Sequence, residues 1–109
     1  MRAFVITLVH DAVSQAAADR CIESIRATQS KLTPEIWPAI TPDTLFDCEW
    51  RWPTTKKQIC CRTGLELRAY KNADVRKRIA CAQSHYRLWE KCVELDQPIC
   101  ILEHDAVFC

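Results

Sequence analysis

The run Ile79-Ala80-Cys81-Ala82-Gln83-Ser84-His85-Tyr86-Arg87-Leu88-Trp89-Glu90-Lys91-Cys92-Val93-Glu94-Leu95, then Ile99-Cys100-Ile101-Leu102, then Glu103-His104-Asp105, decides how this chain is to be read. At about 100° per residue, Ile79, Ala82, Tyr86, Trp89 and Val93 form one stripe of a helix. Cys81, His85, Leu88, Cys92 and Leu95 form a second beside it. The remaining arc is polar: Gln83, Ser84, Arg87, Glu90, Lys91 and Glu94. So wide an apolar face predicts a helix packed on two sides, on a sheet and under a further element. Asp96-Gln97-Pro98 ends it, because Pro98 cannot continue a helix and biases Gln97 toward extended geometry.

The apolar residues 99–102 then read as a buried strand with acids at its carboxyl end. If the backbone stays extended to Asp105, Glu103 and Asp105 share one face and His104 points the other way. An acid-x-acid pair there suits a hard cation such as Mg²⁺ or Mn²⁺, which could grip a diphosphate. Acidic residues also follow apolar strands at ordinary solvated strand ends, so the pair alone does not assign the site.

Working outward, Phe4-Val5-Ile6-Thr7-Leu8 predicts a first strand, and Ala18, Cys21, Ile22 and Ile25 at helical spacing predict a helix over 14–29. A second strand over 36–40 would close a strand-helix-strand unit. The pattern breaks down over 41–72. Pro42, Pro53, Trp50, Trp52 and the Cys60-Cys61 pair predict an irregular segment packed by its aromatics, its tryptophans more apt as core anchors than as sugar platforms. No repeat or low-complexity tract appears.

The helix and the strand that follows it, Ile101-Leu102-Glu103-His104-Asp105-Ala106-Val107-Phe108, together resemble glycosyltransferase family 25, which includes lipopolysaccharide and lipooligosaccharide galactosyltransferases and their collagen-modifying relatives. That family carries an Ile-Gly-Cys-x-x-Ser-His-x-x-x-Trp helix leading to a strand that ends Leu-Glu-Asp-Asp-Ala. Phe4-Val5-Ile6-Thr7-Leu8 and Trp37-Pro38-Ala39-Ile40 fall where the family has its first two strands. The resemblance implies an α/β fold of the GT-A type, a Rossmann-like nucleotide-sugar-binding half-domain. It implies transfer of a hexose, with galactose expected, from a nucleotide diphosphate sugar such as UDP-galactose to a saccharide acceptor such as lipopolysaccharide, with inversion at the anomeric carbon.

By the same resemblance, Mn²⁺ or Mg²⁺ would be the cofactor, with Asp105 toward the metal and Glu103 toward the metal or donor ribose. Ile6, Thr7 and Leu8 would approach the nucleotide through backbone groups. Ser84 and His85 match the family helix, and helix-to-sheet packing with a hydrogen bond accounts for them equally well. The chain departs from the pattern at His104, where the family has Asp, at Lys77-Arg78, and at Val9-His10-Asp11-Ala12. The family's acceptor site and catalytic base are expected downstream of Asp105. Residues 1–109 therefore read as one partial, donor-binding domain with no catalytic residue assigned. A truncated, non-catalytic donor-binding remnant is the alternative.

Composition fits one core: 109 residues, 49% hydrophobic, with 15 Lys and Arg against 14 Asp and Glu for a net charge of +1. That balance offers no nucleic-acid footprint, and Lys56-Lys57 and Arg76-Lys77-Arg78 read as solvated. The single glycine, Gly64, excludes a phosphate-cradling glycine loop. Residues 3–9 could pass for a short signal core, but His10-Asp11 follows at once and a buried strand is the better reading, so a cytoplasmic location is expected with no membrane span.

The eight cysteines lack any Cys-x-x-Cys. Cys81, Cys92 and Cys100 are expected in the core as small apolar side chains. Cys81 and His85, one turn apart, could offer two zinc ligands with Cys92 two turns on, but no fourth can be named, and no stoichiometric zinc is expected.

Overall fold

The computed structural model describes residues 1–53, 56–69 and 74–109. A parallel sheet of three strands is ordered β2-β1-β5, with β1 at Arg2–Thr7, β2 at Thr33–Pro38 and β5 at Cys100–Glu103. Helices α1 (Ala12–Ala27) and α2 (Val75–Leu95) cover its two faces, and a hairpin of β3 (Gln58–Ile59) and β4 (Glu66–Leu67) lies apart from it. The result is a small α/β architecture compatible with a Rossmann-like fold.

β1 is central, and its residues Ala3, Phe4, Val5, Ile6 and Thr7 are all buried, as expected for a parallel strand covered on both faces. Its side chains alternate between two cores. Val5 packs with Ala18, Cys21 and Ile25 of α1, with Leu102 and Phe108 against them. Phe4 and Ile6 pack with Leu88 of α2, with Trp37, Leu95 and Ile101 around them. Phe4 meets Trp37 edge-on at 5.4 Å between ring centroids. Pro34 and Pro38 are tolerated in β2 because it pairs on one side only, with β1.

Both helices begin at an aspartate. Asp11 accepts a hydrogen bond from the Ser14 amide at 2.7 Å, and Asp74 accepts one from the Arg76 amide at 3.0 Å. These caps start α1 two residues before position 14 and α2 one turn before Ile79. At the other end of α2, Asp96 takes the left-handed conformation (φ 50°) that stops the helix before Pro98.

The second strand begins earlier than position 36, at Thr33, and ends at Pro38. The irregular reading of 41–72 is modified by the β3–β4 hairpin, turned at Gly64, whose φ of 71° suits glycine. The part of that segment at 54–55 and 70–73 lies outside the described residues.

The outer apolar stripe of α2 expected to lie under a further element is largely uncovered among the described residues, Tyr86 meeting Phe46 at 6.0 Å between ring centroids while Trp89 and Val93 stay exposed. Among the described residues, α2 buries Ala80, Gln83, Ser84 and Leu88, whereas Tyr86, Trp89 and Val93 are 46%, 59% and 81% exposed. The physical reason is a rotated inner face: two polar residues of the supposed solvated arc bond to irregular chain and are drawn in. No helix among the described residues is long and apolar enough to cross a membrane.

Candidate functional site

The chain passes from β1 to β2 on one side of the sheet and returns with β5 on the other, so the order reverses between β1 and β5. In open α/β sheets, ligands bind outside the carboxyl ends of the strands at such a point. A cleft of about 280 Å³ lies there, walled by Ile6 and Leu8 after β1, Ala39 and Ile40 after β2, Lys77, Cys81, Ser84 and His85 of α2, and Glu103 and His104 after β5. A second depression, of about 420 Å³, shares Leu8 and Ala39 and extends past His10, Asp11, Thr41 and Thr44.

Each wall is fixed by an identifiable bond. Glu103 stands opposite Ile6 in the β1–β5 register. The Leu8 amide donates to Ser14 Oγ at 2.9 Å, and the Leu8 carbonyl accepts from the Asp11 amide at 3.0 Å. The Thr7 carbonyl accepts from the Ala39 amide at 2.9 Å, and the Thr7 side chain is buried. The Thr7 carbonyl and the Leu8 amide and carbonyl thus have partners within the protein, and Ile6 and Leu8 line the cleft at the end of β1.

On the α2 side, Ser84 Oγ donates to the Ala80 carbonyl and accepts from the Ile40 amide, both at 2.9 Å. Gln83 grips one peptide further on. Its Oε1 accepts from the Phe46 amide at 3.0 Å and its Nε2 donates to the Phe46 carbonyl at 2.6 Å. The buried pair therefore pins the otherwise irregular chain from Ile40 to Phe46 onto the helix and holds the cleft's β2 wall in place.

At the mouth of β5, Glu103 is exposed and takes two partners from consecutive turns of α2. His85 Nε2 lies 3.2 Å from Glu103 Oε1, and the Cys81 thiol approaches the same oxygen at 3.8 Å. Burial first, and then the Glu103 charge, push the Cys81 thiol above its ordinary pKa. A thiol so placed is held protonated, the opposite of an activated nucleophile.

Sequence reasoning put Cys81, Cys92 and Cys100 in the core, but Cys81 is exposed and Cys92 and Cys100 are half-buried, whereas Cys21 on α1 is fully enclosed. The cause is that α2 turns Ala80, Gln83 and Ser84 inward, which swings Cys81 to the rim.

The extended reading of 103–105 also changes. β5 ends at Glu103, and the Ala106 amide donates to the Glu103 carbonyl at 3.1 Å, closing a turn. Alternation therefore stops at Glu103. His104, expected on the opposite face, lines the same cleft as Glu103. Asp105 is exposed and near enough to Cys21 of α1 that, after burial and Cys100, its charge helps raise that thiol.

Of the residues singled out from sequence, the cleft brings together Ile6, Leu8, Cys81, Ser84, His85 and Glu103; Thr7 is buried and borders a separate depression with Gln15 and Asp19, and Asp105 is not among the cleft's lining residues. Lys77 and His104 line the cleft without a role assigned from sequence, and Cys81, weighed there only as a zinc ligand beside His85 and set aside as core, joins them. The four-residue spacing of Lys77, Cys81 and His85, one helix face, is the signal that could have found Lys77 and Cys81.

No curated protein and no solved structure matches the chain. Residues 14–109 match the family described as glycosyltransferase family 25 (LPS biosynthesis protein), a span that takes in α1 but for its first two residues, α2, β2, β5 and every cleft residue except Ile6 and Leu8. Membership implies a nucleotide-sugar donor and a saccharide acceptor. By that match the chain belongs to glycosyltransferase family 25.

Proposed function

We propose that this chain binds the donor of a hexosyl transfer in lipopolysaccharide biosynthesis, through a GT-A type arrangement, with UDP-galactose as the first donor to test. The single observation that carries the reading is the position of the cleft at the strand-order reversal, with Lys77 of α2 and Glu103 of β5 among its lining residues. A lysine there supplies a counter-charge for a diphosphate. The apolar side chains of Ile6 and Leu8 offer a surface for the flat face of a nucleoside base.

The family resemblance adds a divalent cation, Mn²⁺ or Mg²⁺, at Glu103 and Asp105. Both are exposed carboxylates, Glu103 at the end of β5 and Asp105 in the turn after it, and carboxylate oxygens are the donors that such an ion takes. When bound, the ion would supply positive charge to the diphosphate leaving group. The chain's own residues do the rest: Ser84 and Gln83 hold the chain from Ile40 to Phe46, and the Asp11 and Ser14 contacts hold Leu8 at the mouth.

Isothermal titration with UDP-galactose tests the reading. Binding is expected to tighten when Mn²⁺ is present, and Asp105→Ala is expected to abolish that tightening. Equal affinity with and without Mn²⁺, or no heat at all, counts against a metal-assisted donor site. A sugar-transfer assay with a panel of saccharide acceptors separates an enzyme from a donor-binding module.

A further inference from the structure

Three ligand atoms of different chemistry converge at the cleft rim. Cys81 Sγ, His85 Nε2 and a Glu103 carboxylate oxygen all lie within 4.8 Å of one another. Around a tetrahedral Zn²⁺, bonds of about 2.0–2.3 Å place neighbouring ligand atoms roughly 3.3–3.8 Å apart. The Glu103–Cys81 separation of 3.8 Å falls at the upper end of that range, and the Glu103–His85 separation of 3.2 Å falls just short of its lower end. The third edge, between Cys81 and His85, is no longer than 4.8 Å, and the two side chains sit one helical turn apart on α2.

We propose that Cys81, His85 and Glu103 form a site for a borderline transition-metal dication, Zn²⁺ or Co²⁺, with the fourth coordination position open to the cleft. The donor set of sulfur, nitrogen and one carboxylate oxygen selects such ions over Mg²⁺ and Mn²⁺, which prefer oxygen alone. Sequence spacing supplied only the two helix ligands. The fold adds the third by ending β5 beside α2, and a site with three protein ligands and one open position has the composition of a catalytic rather than a closed structural zinc site. A bound dication would also reverse the local electrostatics, since a coordinating thiol loses its proton. The open position faces the space lined by Lys77, Ser84 and His104, so a phosphate or hydroxyl oxygen entering the cleft could take it.

The site is distinct from the Mn²⁺ reading, sharing Glu103 but not Asp105, and the two are separable by experiment. The full chain, purified with chelator and reduced, is titrated with Co²⁺ alone and followed by absorption. One equivalent of Co²⁺ is expected to give thiolate-to-cobalt charge-transfer absorption together with the visible bands of tetrahedral cobalt, and Zn²⁺ should bleach both.

Cys81→Ser is expected to remove the charge-transfer absorption, and His85→Ala to weaken binding by more than the roughly 10–100-fold that an outer partner costs. Asp105→Ala should leave the spectrum unchanged, whether or not it alters donor binding. Circular dichroism checks that the variants stay folded, and the near-isosteric Glu103→Gln serves if Cys81→Ser loses helix. The absence of a charge-transfer band with cobalt in excess overturns the proposal. So does a band of full strength in Cys81→Ser, which would place the metal on other thiols.

Discussion

Helices α1 and α2 cover opposite faces of one sheet and are each capped by an aspartate, yet they bury different chemistry. The inner stripe of α1 is small and apolar, Ala17, Ala18, Cys21 and Ile25, with one polar residue, Ser14, in its first turn bonded to the Leu8 amide. The inner stripe of α2 is Ala80, Gln83, Ser84 and Leu88, polar in its middle. A buried polar side chain must find partners, and both polar residues of α2 find them on segment 40–46 rather than on the sheet. α1 is therefore scaffold, whereas α2 clamps irregular chain on one side and presents Lys77, Cys81 and His85 to the cleft on the other.

The largest expected effect tests what the helices share. Ile25 on α1 and Leu88 on α2 are each almost wholly buried, one in each core. Ile25→Ala and Leu88→Ala should each cost about 2–5 kcal/mol in urea unfolding, as large-to-small changes in a packed core do. Similar losses would show that both layers are needed. A much smaller loss for Leu88→Ala would mean that α2 is held by its polar clamp and not by the sheet.

A smaller effect tests what separates them. Gln83→Ala leaves the Phe46 amide and carbonyl without their partner, and removing one side of such a pair costs about 1–3 kcal/mol. The loss should be local. Hydrogen exchange at the Phe46 amide is expected to quicken far more than exchange in β1. Uniform acceleration across the sheet would show that the clamp stabilises the fold as a whole and not the cleft wall alone.

The same contrast explains what could be read from sequence. β1 and α1 were legible because their burial follows the simple alternation and helical spacing of apolar residues; only their ends moved, at Asp11, whose capping role the apolar pattern does not show. For α2 the apolar pattern located the helix but not its inner face. Gln83 and Ser84 look solvated in a sequence because their partners, Phe46 and Ile40, stand 37 and 44 positions away. Cys81 was counted as core since a cysteine is usually buried, and its place beside Glu103 depends on where β5 ends, which spacing within α2 cannot encode. Glu103 itself was legible as a strand-end acid. The faces taken by His104 and Asp105 were not, because the turn closed by the Ala106 amide stops the alternation at Glu103, two residues before Asp105.

The smallest expected effect concerns the outer row of α2. Tyr86 and Trp89 meet edge-on at 6.3 Å, but both are largely exposed, and an aromatic pair in water adds little to a helix already anchored by Leu88. Trp89→Ala should therefore change unfolding free energy by no more than about 0.5 kcal/mol, as surface substitutions do. Sequence periodicity argued for the opposite, a helix covered on both sides. A loss above about 1 kcal/mol, measured in the same urea titration at several protein concentrations, would restore that reading. If the loss also grew with concentration, the cover would be a second copy of the chain.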